Sequence, residues 1–523
     1  MENKKTKIIS IVAMVALALT VVTATYAYFQ AQTGEGSQTD IKINANTADT
    51  FTFETGSAMS LSLDQTSFAS GAGNITGSTY ASALLTANNK TNTATEHYYL
   101  YLKIENNTFT YSINESTPEI IMTVTDSGGN EVTNISTLNH VIVTGANGAQ
   151  VSGYDITNKN GLITLLNNRE ITTTSSKEEK WNIKVTFVNY DASQNANAAK
   201  SMSAKVMIQK EKINLLADYV KSLYTGIQGE NSIYYHNGTI KTDDGTVIDA
   251  GDNSYRYAGA NPNNYVCFGS NVSTCPTDNL YRIIGVFGNN VKLIKYDYAN
   301  SNLLGRNGDY STSGTYSKSS YSSYKGKLAT INRYYWNKST QKNTWSTSLF
   351  NKTNLNANFI TNIGSEWAKK IATTTWKVGG NTSANIATSA MYIAYQNEVV
   401  HPETTYTTDN AKEYTAKIGL MYVSDYGYAA SPTYWTYVGY NSSDSTTDYR
   451  AATSTNWMYM GLPEWTISRL ADYTFYVFYV TDTGYVDREG VNYSRAVRPS
   501  FNLESFITYA GGSGTQSDPI IIE

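Results

Sequence analysis

His97-Tyr98-Tyr99-Leu100-Tyr101-Leu102-Lys103-Ile104-Glu105 decides how the first half of this chain is read. Leu100, Leu102 and Ile104 alternate with Tyr99, Tyr101, Lys103 and Glu105. A period of two gives a strand one buried and one wet face. The same alternation recurs at Trp181, Ile183, Val185 and Phe187 against Asn182, Lys184 and Thr186, and again at Ala204, Val206 and Ile208. Shorter strands are expected over residues 120–125 and 141–144, with Ser127-Gly128-Gly129-Asn130 as one of the turns between them. Many short strands punctuated by turns predict an all-β antiparallel sandwich over residues 30–210. His97 is expected to begin its strand.

N-terminal to that region the pattern changes. Lys4, Lys5 and Lys7 precede an uncharged run from Ile8 to Phe29. At 1.5 Å per residue such a run is long enough to cross the hydrocarbon core of a bilayer. Basic residues on its N-terminal flank hold that end in the cytoplasm, so the rest of the chain is expected on the extracellular side of the membrane or secreted. Residues 1–29 carry two readings. Ile8 to Val22 has the length of a signal-peptide core, and Ala27 offers a small residue for cleavage. Thr25 at the −3 position, with Tyr26, Tyr28 and Phe29 clustered as at a membrane interface, favours an uncleaved helical anchor instead.

Composition narrows the class of protein. A chain of 523 residues is too long for one ordinary core and implies two or three domains. Charged residues make up only 16%, against about 25% in a typical soluble domain, and polarity comes from Asn, Ser, Thr and 43 Tyr. Tyrosine with Ser, Gly and Asn suits binding surfaces, because it gives a large amphipathic face at small rotamer cost. Tyr and Thr also favour strands, so composition alone points first to a β-rich secreted protein. The formal charge of −4, with no Lys/Arg cluster after residue 30, argues against a nucleic-acid partner. Cys267 and Cys275 are the only cysteines, and an even count outside the cell reads as one disulfide. Closing so short a loop contributes roughly 2.5 kcal/mol in the chain-entropy description.

From Lys212 to Tyr224 the period becomes helical, with Ile213, Leu216, Ala217, Val220, Leu223 and Tyr224 on one face. Residues 211–254 are read as a linker helix and loop. The acidic and amide residues between Asp243 and Asn253 lack the spacing and closing Glu of a calcium loop and read as a solvated turn. Residues 255–523 read as one α+β domain. It has a hairpin around Gly288-Asn289-Asn290, a helical face at Leu355, Phe359, Ile363, Trp367 and Ile371, and strands returning at residues 418–423.

Two stretches carry family resemblance. Tyr26, Ala27, Tyr28 and Phe29 are similar to the end of the leader in the TasA and camelysin families of bacterial surface-fibre proteins, and a β-sandwich suits that likeness. Trp457, Met460 and Glu464-Trp465-Thr466, followed by Val497-Arg498-Pro499, Phe501 and Leu503, resemble the C-terminal half of formylglycine-generating-enzyme-like modules, a branch of the C-type-lectin fold. The chain departs from that pattern at Leu462-Pro463, where the family usually has Val-Trp, and at Ala496, where it often has Gly. The likeness spans about residues 265–510 and is strong over 457–503. It implies a C-type-lectin-like domain whose segment between the two motifs lies on the surface.

Within these motifs Trp457, Glu464, Trp465 and Arg498 read as structural, the two tryptophans filling core and Arg498 suited to grip Glu464. Tyr473, Tyr485, Arg488 and Tyr493 are the ligand candidates, because aromatic and Arg side chains on an outer hairpin are what binding surfaces use. Phe475, Val477 and Tyr479 alternate along a strand, and core burial and ligand contact stay equally open for them. No metal ligand set or cofactor is expected. His97, His140, His236 and His401 are far apart in sequence, and neither a His-Glu-x-x-His nor a Gly-x-Ser-x-Gly motif occurs.

The expectation is a bacterial cell-surface or secreted adhesin-like protein that binds a glycan or protein through residues 255–523 without chemistry. It would touch the membrane through its N-terminal helix if that helix is retained. One alternative is a structural surface-fibre or matrix subunit that self-assembles through the edges of the β-sandwich. The other is a formylglycine-generating-type enzyme, which requires Cys267 or Cys275 as free thiols.

Overall fold

The computed structural model describes residues 49–64, 67, 73–88, 92–135, 138–382, 386, 391–402, 412–436, 439 and 449–523. The leader at 1–29, with its cleavage and anchor readings, lies outside the described residues. Among those described, no helix is long and apolar enough to cross a membrane. The chain is mostly antiparallel β-sheet with few helices, and it divides into two compact units, Met1–Ile213 and Asn214–Glu523.

The first unit is built from β1 (Thr50–Thr55), β2 (Met59–Ser62), β3 (Ile75–Thr86), β4 (Ala94–Asn107), β5 (Ile120–Asp126), β6 (His140–Thr144), β7 (Gln150–Asp155), β8 (Gly161–Thr173), β9 (Ser176–Phe187) and β10 (Ser201–Gln209). One sheet has the order β1-β3-β9-β5-β7-β6 and the other β2-β10-β4-β8. Leu100, Leu102 and Ile104 of β4 share one apolar core with Met122 of β5 and with Trp181, Ile183 and Val185 of β9. The two sheets thus form the layers of a sandwich, and each such buried side chain contributes roughly 1.5–3 kcal/mol. A polar stitch crosses the layers: Trp181 Nε1 donates to the Tyr98 hydroxyl at 2.8 Å, and Tyr98 donates to Glu179 at 2.7 Å. His97 lies inside β4 rather than at its start, because β4 pairs with β8 from Ala94 onward.

The second unit contains β11 (Ile233–His236), β12 (Ser254–Tyr257), β13 (Tyr265–Cys267), β14 (Leu280–Phe287), β15 (Asn290–Lys295), β16 (Tyr310–Ser317), β17 (Thr330–Tyr335), β18 (Thr374–Lys377), β19 (Gly380–Asn381), β20 (Glu413–Ala416), β21 (Ile418–Gly419), β22 (Glu464–Leu470), β23 (Tyr476–Val480), β24 (Val486–Gly490), β25 (Ser494–Arg495) and β26 (Ser500–Asn502). The central sheet runs β11-β12-β14-β15-β26-β21, with β13 alongside β14. The smaller sheets are β16-β17-β25, β18-β20 and β19-β22-β23-β24.

The segment 211–254 is not a free-standing linker. Helix α1 (Leu216–Ser222) buries Leu216, Ala217 and Val220 in the core of the second unit, and β11 extends its central sheet. The acidic stretch in this segment is only partly a solvated turn. Asp243 and Asp244 are exposed, but Asp249 is buried, and Asp252 pairs with the buried Arg256 at 2.7 Å. Burial works against the charge on Asp252, yet Arg256 outweighs it and holds the carboxyl below its usual range.

The strand expected at 418–423 is confined to β21. Asp425 accepts from the Tyr422 backbone N–H at 2.9 Å and from Lys292 Nζ at 2.5 Å, and the chain turns into α2 (Val423–Tyr428). A carboxylate three residues on can cap a helix start in this way, which apolar spacing alone does not reveal. The helical face from Leu355 to Ile371 is broken into a π-helical stretch, Phe350–Phe359, and two short helices, Ile360–Asn362 and Ser365–Lys369.

Candidate functional site

The C-terminal sequence pattern folds around β22, which carries Glu464-Trp465-Thr466 and is buried along its whole length. Arg498 grips Glu464 with two parallel bonds, Nε to Oε1 at 2.8 Å and Nη2 to Oε2 at 2.9 Å, and Nη2 also donates to the Met458 carbonyl at 2.6 Å. Both side chains are almost fully buried. Burial disfavours the guanidinium, but the Glu464 carboxylate outweighs it and holds Arg498 above the ordinary arginine value. Trp457 donates from Nε1 to the Tyr257 carbonyl and Trp465 to that of Tyr334, each at 2.8 Å. All four residues therefore sit in the interior with their polar atoms satisfied, and none faces solvent.

From this fixed strand the chain passes through residues 471–475 into β23 and then β24. A buried asparagine sets that loop. Asn343 Nδ2 reaches the carbonyls of Leu470 at 3.1 Å, Tyr473 at 2.7 Å and Tyr476 at 2.9 Å, while its backbone N–H donates to Thr474 at 2.7 Å. Tyr473 is thus displayed, 53% exposed, on a loop whose backbone is tied from below.

The antiparallel register pairs Phe478 with Arg488 and Tyr479 with Asp487, so Tyr476, Phe478 and Arg488 share one face and Val477, Tyr479, Asp487 and Glu489 the other. The four ligand candidates consequently divide into three places. Arg488 lies 5.9 Å from the Tyr473 ring and 5.7 Å from Tyr476, whose rings meet edge to face at 5.8 Å. Tyr493, also 53% exposed, lies 5.9 Å from Arg495, which in turn covers Tyr479 at 5.0 Å and pairs with Glu489 at 2.6 Å. Tyr485 is half-buried near the β23–β24 turn, with Arg450 5.9 Å from its ring. Cation–π contacts of this exposed kind are each worth about 0.5–1 kcal/mol, enough to orient side chains for a ligand. Of the strand residues left open by sequence, Val477 is buried, while Phe475 and Tyr479 are half-buried against the core. Burial, aided by Asp487, pushes the Tyr479 hydroxyl up to about 12, so it remains a neutral donor.

Cys267 and Cys275 are joined in a disulfide, so the free thiols required by the formylglycine-type alternative are not present in this structure. Among the described residues no group of three His, Cys, Asp or Glu side chains is arranged to hold a metal ion. His236 is buried, accepts from the Ala250 N–H at 3.1 Å through Nδ1, and is pulled well below the usual histidine range by desolvation.

Two features were missed in the sequence. Asn343 gave no signal, since its partners lie about 130 residues away. The second did have a signal: between Asp309 and Glu366 there is no acidic residue, while Lys and Arg recur from Lys318 to Lys352. Spaced along the chain they form no run, but the fold places Lys318 and Lys327 on one groove. Comparison of the chain with protein-family models, with curated proteins and with solved structures finds no match.

Proposed function

We propose that this chain is a bacterial cell-surface or secreted binding protein whose second unit is a C-type-lectin-like head recognising a glycan or protein. The observation that carries the reading is the pairing of exposed Tyr473 with Arg488 on a loop and strand anchored by buried side chains. An aromatic ring beside a guanidinium on a rigid support offers stacking, hydrogen bonding and charge at little entropic cost. The C-type-lectin-like assignment draws on the Trp457 to Arg498 pattern, whose members pack in the interior beneath the displayed hairpin. Export draws on the lysine-flanked apolar leader.

A glycan array probed with the full-length chain tests the site. Binding should fall at least about tenfold in Tyr473→Ala and in Arg488→Ala, with a smaller loss in Tyr485→Ala, which is half-buried. Undiminished binding by the first two variants removes the site.

The assembly alternative has an observation of its own. β6 is an edge strand, and its sequence from His140 to Thr144 holds no Lys, Arg, Asp or Glu and is largely β-branched, with Ile142 66% exposed. Unpaired strand edges of this kind are templates for another chain. Sedimentation of the full chain against Ile142→Lys separates the readings: concentration-dependent growth abolished by the lysine supports assembly, and a persistent monomer excludes it.

A further inference from the structure

We propose that the groove beside β16 and β17 binds an acidic polysaccharide, at a place apart from the Tyr473–Arg488 pair. The groove, of ≈ 730 Å³, is lined by Ser317, Lys318, Ser319, Tyr321, Ser322 and Lys327, together with Tyr324 and Ala329. Lys318 and Lys327 are its only charged lining residues, both are exposed, and neither has an ion-pair partner among the described residues. Two unmatched ammonium groups in a protein of net charge −4 are a local exception to its overall sign.

The groove is also built rather than merely charged. Buried Asp297 accepts from the N–H groups of Lys327 and Leu328 and from the hydroxyl of Tyr324, which fixes the backbone of the turn from beneath. Those donors, with the Tyr298 N–H at 2.7 Å, satisfy the Asp297 carboxylate internally while the Lys327 side chain stays in water. Gly326 has no room for a Cβ, since one would strike Tyr324 and Asp297. Tyr321 is held edge-on against Tyr316 at 5.4 Å and presents an aromatic surface beside the serine hydroxyls.

Ammonium groups as point charges, hydroxyls as paired donors and acceptors, and one ring for a sugar face together match a carboxylated or sulfated sugar chain. A nucleic acid would call for a strongly basic domain and several stacking rings, which the groove lacks.

Full-length chain is tested against polygalacturonate, heparin, neutral dextran and single-stranded DNA at about 50 mM salt, where the Debye length is long enough to preserve such contacts. Binding to the carboxylated or the sulfated polymer is expected, with the tighter of the two naming the anion. Lys318→Glu/Lys327→Glu should weaken it at least about tenfold, because two attractive contacts become repulsive. Lys342→Glu/Lys352→Glu, with the same change in net charge outside the groove, should stay within about twofold. The proposal is overturned by no binding to either acidic polymer, by equal binding of dextran, by tighter binding of DNA, or by equal losses in the two double variants. Tyr473→Ala and Arg488→Ala should leave polymer binding here intact, so failure of the groove and failure of the Tyr473–Arg488 site are read independently.

Discussion

Replacing Arg498 with leucine is the sharpest test of how the second unit is held together. The substitution removes two charge-assisted bonds to Glu464 and one bond to the Met458 carbonyl. It leaves a carboxyl about 2% exposed with no guanidinium beside it. Breaking one side of a buried pair in this way costs about 3–5 kcal/mol, since the remaining charge must either stay desolvated or take up a proton. Burial already raises the Glu464 carboxyl with Arg498 present, so its loss raises it further. A group whose folded value lies above its unfolded one destabilises progressively as pH rises, so the deficit of Arg498→Leu should be larger at pH 8 than at pH 5. The double variant Glu464→Leu/Arg498→Met removes both charges and should lie within about 2 kcal/mol of the parent, much nearer than either single change. Seven of the tryptophans, all but Trp181, lie in the second unit, so urea unfolding followed by tryptophan fluorescence reports mainly on that unit. Single variants costing under about 1 kcal/mol, or a double variant costing their sum, would refute the argument that the pair acts as one buried unit.

Other expectations follow from particular side chains. Glu398 is fully buried, accepting from Asn381 Nδ2 at 3.0 Å and Ser424 Oγ at 3.2 Å, and desolvation pushes its carboxyl up to about 8. Its contribution is complete below the unfolded value of about 4.3 and is lost as pH rises toward 8, so stability of the second unit should fall by up to about 1.4 kcal/mol per pH unit across that window. Glu398→Gln should flatten that slope in denaturation measured from pH 5 to 8. Asn343→Ala should cost about 1–3 kcal/mol and speed amide hydrogen exchange in residues 471–476, because several carbonyls lose their donor; unchanged exchange there would show that the loop holds itself. Reducing the Cys267–Cys275 disulfide should lower stability by roughly 2.5 kcal/mol in the same urea assay, the loop being short.

Strand positions were legible wherever one face is wet. β4, β9 and β10 follow the alternation at Leu100, Trp181 and Ala204 because a sandwich strand has one side in the core and one in water. The hairpin of β14 and β15 was equally plain, since Gly288 takes the positive φ that its turn requires. Residues 418–423 misled, because a short apolar run buried on every side has no periodicity to read, and the Asp425 cap that bends it depends on Lys292 from a distant strand. Tyr473, Tyr485, Arg488 and Tyr493 were found as types on one segment, but strand register and the β23–β24 turn divide them among different faces. Sequence could not make that division, since it follows from which residues oppose one another.

What the amino-acid order determined alone is local: the two-residue and helical periods, the turn glycines, the leader's charge and apolarity, and the Trp457 to Arg498 pattern. These depend on neighbours along the chain. Tertiary structure alone decided which charges are matched. It joined Lys292 to Asp425 across 133 positions, brought Asn343 beneath the Tyr473 loop, and set Asp297 under the turn that exposes Lys327, whereas the pairing of Glu464 with Arg498 was already legible in the sequence. Desolvation and pairing depend on what surrounds a group in space, and that is fixed only when distant segments pack.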